Sequence, residues 1–151
     1  MNRTADVVIV GAGVIGSATA FELAKRGYKT LNIDKLPASG YGSTSNSCAI
    51  VRAHYSTWDG VAMAYEGFFY WDDWNKYLEV EDERGMAKYM KTGSIMFMLK
   101  GADHSKKSLN LFKEIGVEHE IWDLETLKKK MPIYSHAVSY THLRAHETYD
   151  H

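Results

Sequence analysis

The sequence predicts an α/β fold that opens on a parallel βαβ unit and continues into further helices and strands. Three observations predict it. A short β-branched run, DVVIV at residues 6–10, leads directly into a glycine cluster, GAGVIG at residues 11–16. Val14, Ala18 and Phe21 then recur at i, i+4 and i+7, the spacing of one helix face. A second short apolar run, TLNI at residues 30–33, ends on Asp34. Strand, helix and strand in that order make the two strands parallel and the crossover right-handed.

Each element has its own signal. DVVIV is continuous rather than alternating, which predicts a strand buried on both faces. Gly27 is placed to end the first helix in a left-handed conformation. Residues 35–46 are rich in Gly, Ser and Pro and read as a loop. Residues 49–51 are apolar and are expected to be extended. Asp59 is positioned to cap a long helix reaching about Leu78. That helix is crowded with aromatics (Tyr65, Phe68, Phe69, Tyr70, Trp71, Trp74 and Tyr77), which are expected to form core. Residues 79–85 read as a charged turn and residues 94–99, SIMFML, as a strand. Leu109, Phe112 and Ile115 give residues 105–115 an amphipathic helical pattern, with Gly116 as its stop. A short strand is expected within residues 118–122. Asp123 then caps a basic helix that Pro132 terminates.

Composition narrows the function classes. The length of 151 residues suits one domain. A net charge of -1 gives no electrostatic reason for a nucleic-acid or anionic-membrane partner. No apolar run reaches the roughly 18 residues of a membrane span. The N-terminus lacks the apolar stretch and cleavage site of a signal peptide. One cysteine, Cys48, excludes an internal disulfide and suggests a reducing compartment, most simply the cytoplasm. Cys48 itself is expected to be a small buried residue.

Gly11, Gly13 and Gly16 form G-x-G-x-x-G between a predicted strand and a predicted helix, the Rossmann-like arrangement. Gly11 permits the tight turn, Gly13 lets the backbone approach a pyrophosphate, and Gly16 allows close helix–strand packing. The amides near Ala12, Val14 and Ile15 lie at the positive end of the helix dipole. Asp34, at the end of the second strand and followed by Lys35, can accept hydrogen bonds from ribose hydroxyls and would repel a 2′-phosphate. The pattern therefore predicts a site for the ADP half of a dinucleotide. By itself it leaves NAD, FAD and a non-catalytic nucleotide ligand open.

Residues 40–56, GYGSTSNSCAIVRAHYS, carry more. This segment resembles the loop after the second strand in the FAD-dependent amine and amino-acid oxidoreductases, the D-amino-acid oxidase family, with its sarcosine oxidase, glycine oxidase and dimethylglycine dehydrogenase relatives. The resemblance runs from Asp6 to about Ser135. It takes in Gly93 before SIMFML and the later WDLETLKKKMP. It implies FAD as cofactor, with Gly42, Ser43 and Thr44 donating hydrogen bonds to its pyrophosphate. It implies a small amine or amino acid as substrate, its C–N bond oxidised by hydride transfer to the flavin. Arg52 then matches an arginine on the substrate side of the flavin that can bind a carboxylate; a structural ion pair is the alternative. Tyr55 could add a hydroxyl to the same wall, with packing as the alternative. His54 reads as a packed or exposed histidine rather than a catalytic base. No catalytic residue is assigned within these residues.

Residues 138–148, VSYTHLRAHET, stand apart. The string resembles a translated transposase sequencing adaptor over eleven consecutive positions. Residues 1–137 are therefore expected to be the N-terminal part of the FAD-binding domain, and residues 138–151 a non-native tail. On this reading the domain is incomplete, and the partner it lacks is the C-terminal portion of its own chain. The fragment is then expected to be inactive. His142, His146 and His151 invite a metal site, but they are expected to be accidents of the reading frame, with no metal bound.

Overall fold

A computed structural model describes residues 4–98, 103–134 and 141–145. The chain divides into two units, residues 1–50 and 51–151.

The first unit is β1 (Val7–Val10), α1 (Val14–Lys25) and β2 (Thr30–Ile33). β1 and β2 pair in parallel, Val7 opposite Thr30 through Val10 opposite Ile33. α1 stops where predicted: Gly27 has φ +86° and its amide donates to the Ala24 carbonyl at 2.9 Å. The expectation that β1 is buried on both faces is corrected. Val8 is 55% and Val10 84% exposed. Among the described residues α1 packs on this strand pair from one side, and a two-stranded sheet has no second layer to cover its other face. Among the described residues of this unit, only Ala12 is a buried hydrophobic.

The second unit begins with α2 (Trp58–Asp72) and α3 (Trp74–Leu78). The single long helix expected from Asp59 is corrected at both points. Thr57, not Asp59, is the N-cap, because Thr57 has the extended backbone a cap requires and its Oγ1 accepts the Gly60 amide at 3.3 Å. Asp59 instead lies in the first turn, where its charge suits the helix dipole. Asp73, at φ -123° and ψ 55°, interrupts the helix before α3 resumes.

Val61 and Phe68, seven residues apart on α2, enter the core with Ala53, Phe112 and Val117. Phe112 belongs to α4 (Asp103–Ile115), which Gly116 ends at φ +87°. The aromatic stripe is only partly core, since Phe69 and Tyr70 remain nearly half exposed. Seven aromatics in one helical stretch exceed what one packed face can cover. Gly67 sits within α2 and a methyl group there would meet nothing within 4 Å. Gly67→Ala should therefore stabilise this unit by about 0.5–1 kcal/mol, read as a raised urea midpoint.

A three-stranded antiparallel sheet completes the unit: β3 (Ser94–Met98), β4 (Glu120–Trp122) and β5 (Thr141–Ala145), in the order β3–β5–β4. β5 falls inside residues 138–148, which sequence reasoning had set aside. Between β4 and β5 lies α5 (Leu124–Lys130). As expected, Asp123 caps it, Oδ1 accepting the Thr126 amide at 2.8 Å. Leu127 and Trp122 are buried beside each other's elements.

Candidate dinucleotide site

The glycine loop is held by bonds from distant parts of its own unit. The Gly11 amide donates to the Ile33 carbonyl at 2.7 Å, extending the strand pairing one step beyond β1. Gly11 has φ +111°, a conformation that favours glycine. The Ala12 amide donates to Asp34 Oδ2 at 2.7 Å, and the Leu36 amide to Asp34 Oδ1 at 2.9 Å. The Ala12 bond first, and then the Leu36 bond, hold the Asp34 carboxyl below its usual pKa. The end of β2 thus carries a fixed negative charge at neutral pH.

α1 starts at Gly13, which has no side chain with which to cap it. Thr44 supplies the cap from thirty residues away: its Oγ1 accepts the Val14 amide at 2.9 Å. A methyl group on Gly13 would come within 3.1 Å of that oxygen. The loop after β2 is seated by the Gly40 amide, which donates to the Ala12 carbonyl at 2.9 Å. Its interior is held by Asn46 Nδ2 on the Gly42 carbonyl at 3.0 Å, and by Ser45, whose amide and hydroxyl both donate to the Gly40 carbonyl. Thr44 is therefore brought onto the N-terminus of α1, with Gly42 and Ser43 preceding it in the same seated loop. The amides of Gly13 and Ile15 lie outside the helix's own ladder, as first-turn amides do.

A cavity of about 410 Å³ opens beside this loop, lined by Val10, Gly11, Ile33, Asp34 and Lys35. Val10 and Ile33 were not singled out as site residues by sequence. Each reads as an ordinary strand residue, and their position at adjoining strand ends became visible only with the pairing. Asn32 was also missed. Its Nδ2 donates to the Gly16 carbonyl at 3.1 Å and the Gly11 carbonyl at 3.4 Å, tying β2 to both ends of the loop. One signal could have found it: a lone amide in the otherwise apolar run TLNI.

The donor set fits an ADP-type ligand. A Cβ at position 13 would fill the approach to the loop, a helix N-terminus faces the same place, and an ionised carboxylate marks the end of β2. Residues 6–148 match the family described as FAD dependent oxidoreductase. The chain belongs to that family. Its cofactor is FAD, and the NAD-dependent alternative falls with that result.

Two relatives show how far the likeness reaches. The chain is 29% identical over 135 residues to monomeric sarcosine oxidase from a Bacillus species, covering 87% of this chain and 33% of that protein. It is also 29% identical over 137 residues to digeranylgeranylglycerophospholipid reductase from Sulfolobus acidocaldarius, covering 85% and 27%. The solved structure of L-proline dehydrogenase from P. horikoshii superposes with a TM-score of 0.78 at 20% identity, over 97% of this chain and 37% of that one. The chain therefore spans about a third of the length of the curated relatives it matches. The α/β fold class holds, as part of a larger FAD-binding domain.

The remaining candidates lie near or beyond the unit boundary. Ala49, expected to be extended, is left-handed at φ +53°. Its amide bonds to the Ser47 hydroxyl at 3.1 Å, a local turn that competes with an extended path. Cys48 is exposed, not buried as expected, because it lies in a stretch, residues 43–50, that is exposed throughout. Arg52 and Tyr55 begin the second unit and touch each other, the guanidinium 5.6 Å from the tyrosine ring centroid. Both side chains are exposed. His54 between them turns inward, its ring 5.0 Å from that of Phe112. His146 and His151 lie outside the described residues. Among the described residues no helix is long and apolar enough to cross a membrane.

Proposed function

We propose that this chain forms the ADP-binding part of a flavoenzyme that oxidises the C–N bond of an amino acid or N-methyl amine. The observation that carries the reading is the loop of residues 35–46 seated on the glycine loop of a member of the FAD dependent oxidoreductase family. The first-turn amides of α1 and the hydroxyls of Ser43 and Thr44 would hold the pyrophosphate. Asp34 would accept the ribose hydroxyls, and Val10 and Ile33 would offer an apolar wall to the adenine. Bound FAD supplies the redox chemistry, accepting a hydride from the carbon next to the substrate nitrogen. Arg52 offers a planar, permanently charged fork suited to a substrate carboxylate, with Tyr55 beside it. The sarcosine oxidase relative supports the amine substrate class, and the single cysteine fits a reducing compartment such as the cytoplasm.

On this reading residues 138–151 are adaptor-derived and the substrate pocket is completed by natural sequence following residue 137. The 151-residue chain should bind FAD through its ADP half, with ADP competing, yet show no amine oxidation. The protein read on from residue 137 in its source DNA should be yellow, and its flavin should bleach anaerobically with an N-methyl or primary amino acid. A flavin that stays oxidised with every amine and amino acid, or amine turnover by the 151-residue chain alone, would overturn the proposal.

A further inference from the structure

The three-stranded sheet has an unusual dependence on its middle strand. β3 and β4 are not neighbours: among the described residues each has its ladder with β5. Five residue pairs join β5 to β3, from Ser94 opposite Ala145 to Met98 opposite Thr141. Three join it to β4: Glu120 with Arg144, Ile121 with Leu143 and Trp122 with His142. Residues 142–144 are thus paired on both sides. Since both partners run antiparallel to β5, β3 and β4 run parallel to each other, about 9.6 Å apart at the usual strand spacing. Without β5, two edges of unpaired N–H and C=O groups would face each other across the width of one strand.

Such a gap recognises backbone. Every non-proline residue brings the same donor and acceptor to a ladder, whatever its side chain. On the reading that residues 138–148 are adaptor-derived, which this inference shares with the proposed function, the occupant is a sequence with no history of selection for side-chain fit. Its tether is short: ten residues, 131–140, separate the end of α5 at Lys130 from the start of β5 at Thr141. A short tether gives the strand a high effective concentration at the gap. The family match also runs on through residue 148, so family members likewise have chain at these positions.

We propose that β3 and β4 form a strand-accepting slot, filled here by residues 141–145 through backbone pairing, in which the occupant's side chains are exchangeable. All the residues of the slot belong to the second unit. Amide hydrogen exchange on the full 151-residue chain tests it. Leu143→Pro removes a donor from the doubly paired centre of β5, whereas Leu143→Thr changes the side chain and keeps the ladder. The proline variant should raise exchange at residues 94–98 and 120–122 by at least about tenfold and leave 7–10 and 30–33 unchanged. The threonine variant should match the unaltered chain in all four segments. Equal loss in both variants would show recognition by side chain and overturn the proposal. So would no change in either, or loss that spreads to β1 and β2. Protection of β3 and β4 that rises with protein concentration would place a second copy's strand in the slot and overturn the intrachain assignment.

Discussion

Gly16→Ala should abolish FAD binding and loosen β1 and β2 together. An alanine methyl at this position would lie 2.1 Å from the Gly11 carbonyl oxygen, 3.0 Å from its carbon and 3.4 Å from Ile9 Cγ2. The two nearest atoms are backbone, so no side-chain rotation relieves the clash. Either α1 moves away from β1 or the loop opens, and both pull the Ala12 and Val14 amides away from Asp34 and Thr44. Overpacking against backbone reaches the upper end of the usual range, about 3 kcal/mol, which in binding terms is a loss of about a hundredfold. FAD titration and amide exchange at residues 7–10 and 30–33 would measure both consequences. Gly27→Ala is the control: its added methyl meets nothing within 4 Å, so it carries only the left-handed backbone penalty of about 1–2 kcal/mol. If the two variants bind FAD equally well, close packing at Gly16 is not what holds the loop in shape.

Acid should destabilise the second unit through His54. The His54 ring packs on Phe112, and its Nε2 is buried with no hydrogen-bond partner among the described residues. Burial, with the nearby Arg52 charge adding to it, lowers its pKa from 6.5 to about 4. The folded unit therefore keeps His54 neutral in a range where the unfolded chain binds a proton. Stability is full above about pH 6.5 and falls as the pH drops toward 4, because protons favour the unfolded state throughout that window. The full shift corresponds to roughly 3 kcal/mol, and partial access to water reduces this to on the order of 2 kcal/mol. Asp34, Asp82 and Asp123 have lowered pKa values, so their contributions are lost only at more acidic pH. All four tryptophans (Trp58, Trp71, Trp74 and Trp122) lie in the second unit, so their fluorescence follows its unfolding. Urea midpoints measured from pH 7 to 4.5 should fall for the unaltered chain and stay nearly level for His54→Leu above pH 5. Parallel pH profiles for the two proteins would remove His54 as the cause.

Both predictions rest on features that differ in how openly the sequence displays them. Gly16 was legible because G-x-G-x-x-G places three glycines whose reasons are local: a turn, an approach and a close contact one turn into the helix. The stops at Gly27 and Gly116 and the Asp123 cap were legible for the same reason, since each acts within a few residues of itself. His54 was not. Its neighbours Arg52 and Tyr55 are exposed while it turns inward to a ring nearly sixty residues away, and no local pattern encodes that meeting.

Sequence alone determined the order of elements as far as α5, apart from the break at Asp73, together with the parallel βαβ start, the glycine loop with its acidic partner position, and the resemblance that named the cofactor. These follow from short-range sterics, helix capping and hydrophobic period, all of which act along the chain. Tertiary structure decided that Thr44 caps α1, that Asn32 ties the loop to β2, and that Asp34 anchors the Ala12 amide. It also decided that one face of β1 is left open, that Phe69, Tyr70 and Cys48 stay exposed, and that residues 141–145 take the centre of a sheet. Those outcomes depend on which surfaces meet and which distant donors find acceptors. Burial and long-range hydrogen bonding are properties of the folded arrangement, and no window of sequence contains both partners.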